Sequence, residues 1–293
     1  MMDLTTAERI RELGTAINPK NAKFSNAIYA PRHKLDEHPG VKVTRDVVYG
    51  AHPRNRLDVF EPLVSAGESR GVMVFVHGGN FVAGDKHVPG SPFYSNIGVW
   101  AVQHHFVGIT LNYRLAPEST HPSGIEDLDQ AIRWIRESAA DLNIDCENIV
   151  LVGASAGATH VAQWVAERAS QEPPVSGVVL LSGVYDFRGL EGDSVLSTYY
   201  GAGTLLAEMS PHADLAGLET PLMIVVSELD PPEQHRQFLN LAHLQLLSQE
   251  RLPHMVFLPR HNHFSEVLHV GTEDSSLGCA LETFLLSLGK DPK

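Results

Sequence analysis

One pentapeptide restricts this chain more than any other feature. Gly153-Ala154-Ser155-Ala156-Gly157 stands between the apolar run Ile149-Val150-Leu151-Val152 and a helical pattern over Ala156 to Ala169. The form G-x-S-x-G between a strand and a helix is that of a sharp elbow presenting a nucleophile. Such a turn holds its serine in strained backbone and brings strand and helix so close that the flanking residues must be small. Gly153, Ala154, Ala156 and Gly157 meet that condition. The hydroxyl would then sit above a helix N-terminus, whose free N–H groups and dipole favour the negative charge of an acyl-transfer transition state. The competing reading is a serine that only caps a helix.

The pattern around the elbow extends along most of the chain. From Val41 onward, apolar and β-branched runs alternate with longer helical patterns, the mark of an α/β fold with a mainly parallel sheet. Strands are predicted at Val43 to Tyr49, Leu57 to Phe60, Val72 to Val76, Val107 to Leu111, Ile149 to Val152, Val178 to Leu181, Leu222 to Val226 and Met255 to Leu258. Helices are predicted at Phe93 to Gln103, Ile125 to Ala139, Ala156 to Ala169, Glu233 to Ser248 and Ser276 to Leu288. Right-handed crossovers put such helices on both faces of an eight-stranded sheet. Residues 1–40 read as an N-terminal arm or cap with a short helical pattern (Ala7, Ile10, Leu13, Ile17), and residues 41–293 as one catalytic domain. About 40 residues between Leu181 and Leu222 exceed a simple connection, so 185–220 is predicted to be an insertion over the strand ends, a small helical cap.

Chemistry is expected at three further places. His77-Gly78-Gly79-Asn80-Phe81 follows the run Val72 to Val76, and two glycines there let backbone N–H groups approach a carbonyl oxygen. Gly79, Asn80 and Ala156 are the predicted oxyanion donors, whereas His77 is read as a structural residue. Downstream of an elbow serine the order is acid, then histidine. Ser227-Glu228-Leu229-Asp230 and His261-Asn262-His263-Phe264 occupy those places, and position favours Asp230 over Glu228 and His263 over His261. Asp230 as a helix cap or solvated loop charge stays open. In the expected roles, His263 takes the Ser155 proton and Asp230 fixes its tautomer. No histidine pair has the H-E-x-x-H spacing of a metal site, and no metal or organic cofactor is expected.

Composition narrows the partners. A formal charge of -13 opposes binding to nucleic acid or an anionic bilayer, and a small neutral substrate fits better. Acids and arginines interrupt the first dozen residues, no later run reaches the length of a membrane helix, and only Cys146 and Cys279 are present. The expectation is a soluble, cytoplasmic protein with reduced thiols; a homodimer is compatible with the sequence.

Together with the elbow and His77-Gly78-Gly79, the segments Tyr113-Arg114-Leu115-Ala116-Pro117-Glu118 and Glu126-Asp127-Leu128 resemble the hormone-sensitive-lipase-like carboxylesterases of the α/β-hydrolase fold. Tyr185-Asp186, Tyr199-Tyr200-Gly201, Ser210-Pro211 and His263-Phe264 extend the resemblance from about Val41 to the C-terminus. It implies an esterase with the triad Ser155, Asp230 and His263, and a lid and acyl pocket formed by residues 1–40 and 185–220. Members usually carry a third glycine where this chain has Asn80. The H-G-G-x-aromatic form is similar to the kynurenine-formamidase and feruloyl-esterase-like branch, which implies aryl amides or aryl esters as substrates. Beside hydrolysis of small, short-acyl esters, a second reading is an arylformamidase or lactonase using the same residues on a different carbonyl. A noncatalytic ligand-binding protein on the same fold is the third reading.

Overall fold

Alternation decides where each strand residue goes. In β3 (Arg70–Val76), Val72, Val74 and Val76 enter one core cluster while Met73 and Phe75 enter another, and β5 (Ile144–Ala154) divides in the same way between Ile149, Leu151 and Val150, Val152. Successive side chains of a strand point to opposite faces, so an unbroken apolar run demands a cover on both. The remaining strands are β1 (Val41–Val48), β2 (Arg56–Pro62), β4 (Val107–Leu111), β6 (Gly177–Leu181), β7 (Leu222–Leu229) and β8 (His254–Asn262). They form one eight-stranded sheet in the order β1-β2-β4-β3-β5-β6-β7-β8. β1 and β2 are antiparallel to their neighbours, and the pairings from β4 through β8 are parallel.

The computed structural model describes residues 4–34, 38–64, 67, 69–168 and 175–288. Residues 1–3 and 35–37 of the arm, Ala169 at the end of one predicted helix, and residues 289–293 lie outside the described residues. The helices, in chain order, are α1 (Leu4–Leu13), α2 (Pro19–Tyr29), α3 (Ser95–Gln103), α4 (Ser123–Glu137), α5 (Ala139–Leu142), α6 (Ala156–Arg168), α7 (Ser194–Tyr200), α8 (His212–Ala216), α9 (Pro232–Gln249), α10 (Ser265–Leu268) and α11 (Ser276–Ser287). One face of the sheet is covered by α4, α6, α8 and α9, through residues such as Ile132, Val161, Leu215 and Leu241. The other is covered by α1, α2, α3, α10 and α11, through Ile10, Ile28, Trp100, Val267 and Phe284. Burying one side chain of this size contributes on the order of 1.5–3 kcal/mol, which makes the two-sided cover the main source of stability.

This order brings distant residues to one edge. His77-Gly78-Gly79, Ser155, Ser182, Asp230 and His263 all follow directly, or within one residue, the carboxyl ends of β3, β5, β6, β7 and β8. Open α/β sheets bind ligands outside those ends. From α2, Ser25 bonds Asn262 next to His263 (3.1 Å), and His33, beyond α2, lies with Nε2 2.8 Å from the Leu268 carbonyl of α10. The segment 185–220 supplies α7 and α8 and a third apolar cluster in which Phe187, Leu196 and Tyr199 meet Phe81 and Ala156.

Candidate active site

Ser155 has φ +54°, the left-handed conformation an elbow imposes, and its N–H donates to the Leu181 carbonyl at 2.8 Å. The flanking glycines are needed for space. A Cβ on Gly157 would stand 2.2 Å from the Val76 carbonyl oxygen, and one on Gly153 2.5 Å from that of Gly157. The small-residue pattern of the sequence therefore reflects the contact of β3, β5 and α6. Ala156 is the first residue of α6, so its N–H has no acceptor within the helix.

Across from the serine, Gly79, Asn80 and Phe81 all have positive φ, +135°, +53° and +63°. The loop is held from outside: the Ala116 N–H donates to the Phe81 carbonyl (2.9 Å), and the Tyr113 hydroxyl to the His77 carbonyl (2.9 Å). Arg114, in the same segment, donates to Asp127 (2.8 Å) and Glu126 (2.7 Å) on α4, which pins the strand β4 exit to that helix. Thus the segment Tyr113 to Glu118 and the pair Glu126-Asp127 serve as braces for the loop. His77 is fully buried, stacks on Tyr113 at 4.5 Å and turns Nδ1 toward the Gly78 carbonyl (2.7 Å). Burial lowers its pKa to about 4, and the ring stays neutral.

Asp230 is 1% exposed and makes three contacts. Oδ2 accepts the Ser227 N–H (2.7 Å) and faces the Ser182 hydroxyl (2.6 Å), while Oδ1 lies 2.7 Å from His263 Nδ1. A carboxylate can only accept, so Nδ1 carries the proton and Nε2 presents its lone pair. Among the described residues that Nε2 is buried with no partner, the state of a ring nitrogen kept ready for a proton from elsewhere. His263 and Ser155 line the same cavity of about 410 Å³, together with Gly78, Gly79 and Asn80. Ile17, Pro19 and Ala22 of the N-terminal arm form another wall, and no residue of 185–220 lines it.

The neighbours weighed against these residues are engaged elsewhere. Glu228 accepts the Arg260 N–H (2.6 Å) and a bond from Arg11 (3.2 Å), tying β7 to β8 and α1. His261 lies 3.1 Å from Ser265 Oγ and 3.2 Å from Asp274 Oδ2. With His269 and Asp274 it forms a buried group whose ligand-type atoms lie within 4.8 Å of one another, a cluster the linear spacing does not reveal. His269 Nδ1 donates to the Ser265 carbonyl (2.8 Å) and Nε2 accepts the Leu277 N–H (3.2 Å), so protein hydrogen bonds already use both nitrogens. Sequence reasoning also passes over Ser182 and Glu266. Ser182 has φ +48°, and Glu266, 1% exposed, lines the cavity beside His263. The positive φ of a residue ending a strand leaves no trace in composition.

Comparison with known proteins places the chain in a family and a fold. Esterase LipQ of Mycobacterium tuberculosis is 28% identical over 211 residues, 64% of this chain and 49% of LipQ. Isoprenylcysteine alpha-carbonyl methylesterase ICME of Arabidopsis thaliana is 33% identical over 131 residues, 45% of this chain and 29% of ICME. The chain spans half or less of the length of these curated relatives. Among solved structures, esterase B of Lactobacillus rhamnosis superposes with a TM-score of 0.75 at 17% identity, covering 97% of this chain and 96% of that one. A thermostable esterase from Pseudomonas putida gives 0.67 at 18%, covering 96% and 93%. These likenesses show the α/β-hydrolase fold. The BD-FAE family model matches residues 57–232, more than half of the chain and the whole span from β2 through the elbow to Asp230. The chain therefore belongs to the BD-FAE family of α/β-hydrolases.

Proposed function

We propose that the protein is a serine carboxylic ester hydrolase for small, short-acyl esters. The observation that carries this reading is the chain of contacts Asp230–His263 at 2.7 Å ending in an unpartnered Nε2 that shares a cavity with Ser155. In it, Ser155 Oγ attacks the carbonyl carbon as its proton passes to His263 Nε2, and Asp230 stabilises the imidazolium. The N–H groups of Gly79, Asn80 and Ala156 receive the oxyanion. Collapse breaks the bond to the alcohol oxygen, which takes the proton back from His263, and leaves an acyl group on Ser155. Water then attacks that ester with His263 again as base, releasing the acid and restoring the hydroxyl.

Support comes also from the esterase names of the relatives and from a cavity of about 410 Å³, at the small end of ligand pockets. Among the described residues no helix is long and apolar enough to cross a membrane, and both cysteines are free, which fits a reducing cytoplasm and a small-molecule substrate met in water. The test is turnover of p-nitrophenyl acetate and butyrate by the protein and by Ser155→Ala. The variant is expected to fold and to lose at least about three orders of magnitude in kcat. Unchanged turnover in the variant contradicts the reading. A parallel panel of aryl formamides and lactones decides which carbonyl the site prefers, and absence of turnover on all three classes favours a binding protein.

A further inference from the structure

Ser182, just past the end of β6, stands between two carboxyl groups. Its Oγ lies 2.6 Å from Asp230 Oδ2 and 2.7 Å from Glu266 Oε2. One hydroxyl brings one proton and can donate to only one of these oxygens, so the second short contact needs a proton from a carboxyl group itself. Asp230 already faces two other donors, the Ser227 N–H and His263 Nδ1, both at 2.7 Å, as suits an ionised group. Glu266 does not. Among the described residues it meets, besides Ser182, only the Ser227 hydroxyl at 3.3 Å, its Oε1 is buried without a partner, and no cation lowers its pKa. The titratable groups facing it are Asp230 from the end of β7, Tyr94 before α3 and Tyr185 after β6, with His263, bonded to Asp230, on the wall of the same cavity. None of these supplies positive charge while His263 is neutral, so the proton belongs on Glu266.

We propose that Glu266 is a positioning residue that works as a neutral acid: its O–H donates to Ser182 Oγ, which turns the Ser182 hydroxyl onto Asp230 and holds that carboxylate against His263. The proposal rests on the serine-hydrolase reading for its kinetic consequence. Burial, and after it the charge of Asp230, pushes the Glu266 carboxyl well above the ordinary range, in the same direction. The consequence is electrostatic. An ionised Glu266 would place a second negative charge beside Asp230, compete for the one Ser182 proton and raise the basicity of His263. A neutral one leaves a single charge to pair with the imidazolium and gives the cavity a polar wall without a charge that a neutral ester would have to meet.

The full-length protein allows two tests. Infrared difference spectra at neutral pH, natural protein minus Glu266→Gln, should contain the carbonyl stretch of a protonated carboxylic acid that moves in D2O and is missing in the variant. Absence of that band, or its survival in the variant, overturns the proposal, and neither result depends on turnover by Ser155. In kinetics, Glu266→Ala should lose roughly tenfold in kcat with little change in KM, the scale of one lost hydrogen bond. Glu266→Gln, whose amide still donates to Ser182, should recover most of that loss with the acid limb of its pH profile unmoved. An acid limb displaced downward by about one unit in Glu266→Gln would mean that a negative charge had been removed, and the proposal fails. If Glu266→Ala does not fold, the spectra and the Glu266→Gln profile decide the matter.

Discussion

Gly157 has the carbonyl oxygens of Val76 and His77 only 2.2 and 2.5 Å from the place a Cβ would take, so Gly157→Ala has to push β3 and α6 apart. Overpacking of this kind costs about 1–3 kcal/mol, to be read from urea unfolding, and turnover should fall further because Ser155 and the Gly79–Asn80 N–H groups are held by the same contact. Asp230→Asn makes a different fault. Its amide would direct an N–H at one of the donors that Asp230 now accepts and leave His263 without a fixed tautomer; kcat is expected to drop by at least about a hundredfold with folding intact. At this scale the sequence is uneven evidence. Ser155 stands out because steric crowding forces four small neighbours into five consecutive positions. Glu228 and Asp230, or His261 and His263, are the same chemical types two residues apart, and only the turns at the ends of β7 and β8 separate His263 at the cavity and Asp230 behind it from the groups bound to Arg260 and Asp274. Ser182 and Glu266 are 84 residues apart and ordinary in context, so their juxtaposition follows from the sheet order alone.

Elements act on the cavity through the arm. Ala22 of α2 lines the wall opposite the oxyanion loop, and α2 is fixed by the Ser25–Asn262 bond and by Asn18, which caps its first turn. Ala22→Phe should narrow the cavity and cut kcat/KM for long acyl esters at least about tenfold relative to acetate, a pocket effect of the size that a few methylenes produce; equal losses for all chain lengths would mean that α2 does not bound the acyl site. The inner strands are readable in the sequence because their apolar runs are buried on both faces, whereas β1 and β8 at the sheet edges keep exposed positions; each predicted core lies within an observed strand or one residue of it. Their ends extend further, as in β5, which begins at Ile144, paired with Arg70 of β3 ahead of a register shift that passes over the polar residues 145–148. The short helices α5, α7, α8 and α10 are too brief to show a period, and tertiary contacts rather than propensity form them. Of the segment 185–220, expected over the strand ends as part of a lid and acyl pocket, Phe187, Leu196 and Tyr199 pack with Phe81 and Ala156, and none of its residues lines the cavity.

For the molecule as a whole, buried imidazoles set the response to acid. His160 and His269 are fully buried with pKa values lowered by burial to about 3, and His77 to about 4; His33 and His121 are lowered in the same direction. The unfolded chain protonates them near 6.5, so as pH falls below that value the unfolded state binds more protons and stability declines until the folded pKa is reached. Each fully buried ring costs about 2 kcal/mol at pH 5. Glu266, and with it Glu167, works in the opposite sense, since a raised folded pKa lets the unfolded state ionise first, but the five lowered imidazoles outnumber them. The melting temperature should therefore fall between pH 6.5 and pH 5, and His160→Leu should remove about 2 kcal/mol of that decline. A flat profile, or one unaltered in the variant, contradicts this account of acid sensitivity. The central claim is that Ser155 is a nucleophile activated by His263 and Asp230, and covalent labelling tests it most directly. A fluorophosphonate should add once per chain, on the peptide carrying Ser155, and fail to add to Ser155→Ala, with strongly slowed labelling in His263→Ala. No adduct on the folded protein, or an adduct on a different serine that persists in Ser155→Ala, would contradict it.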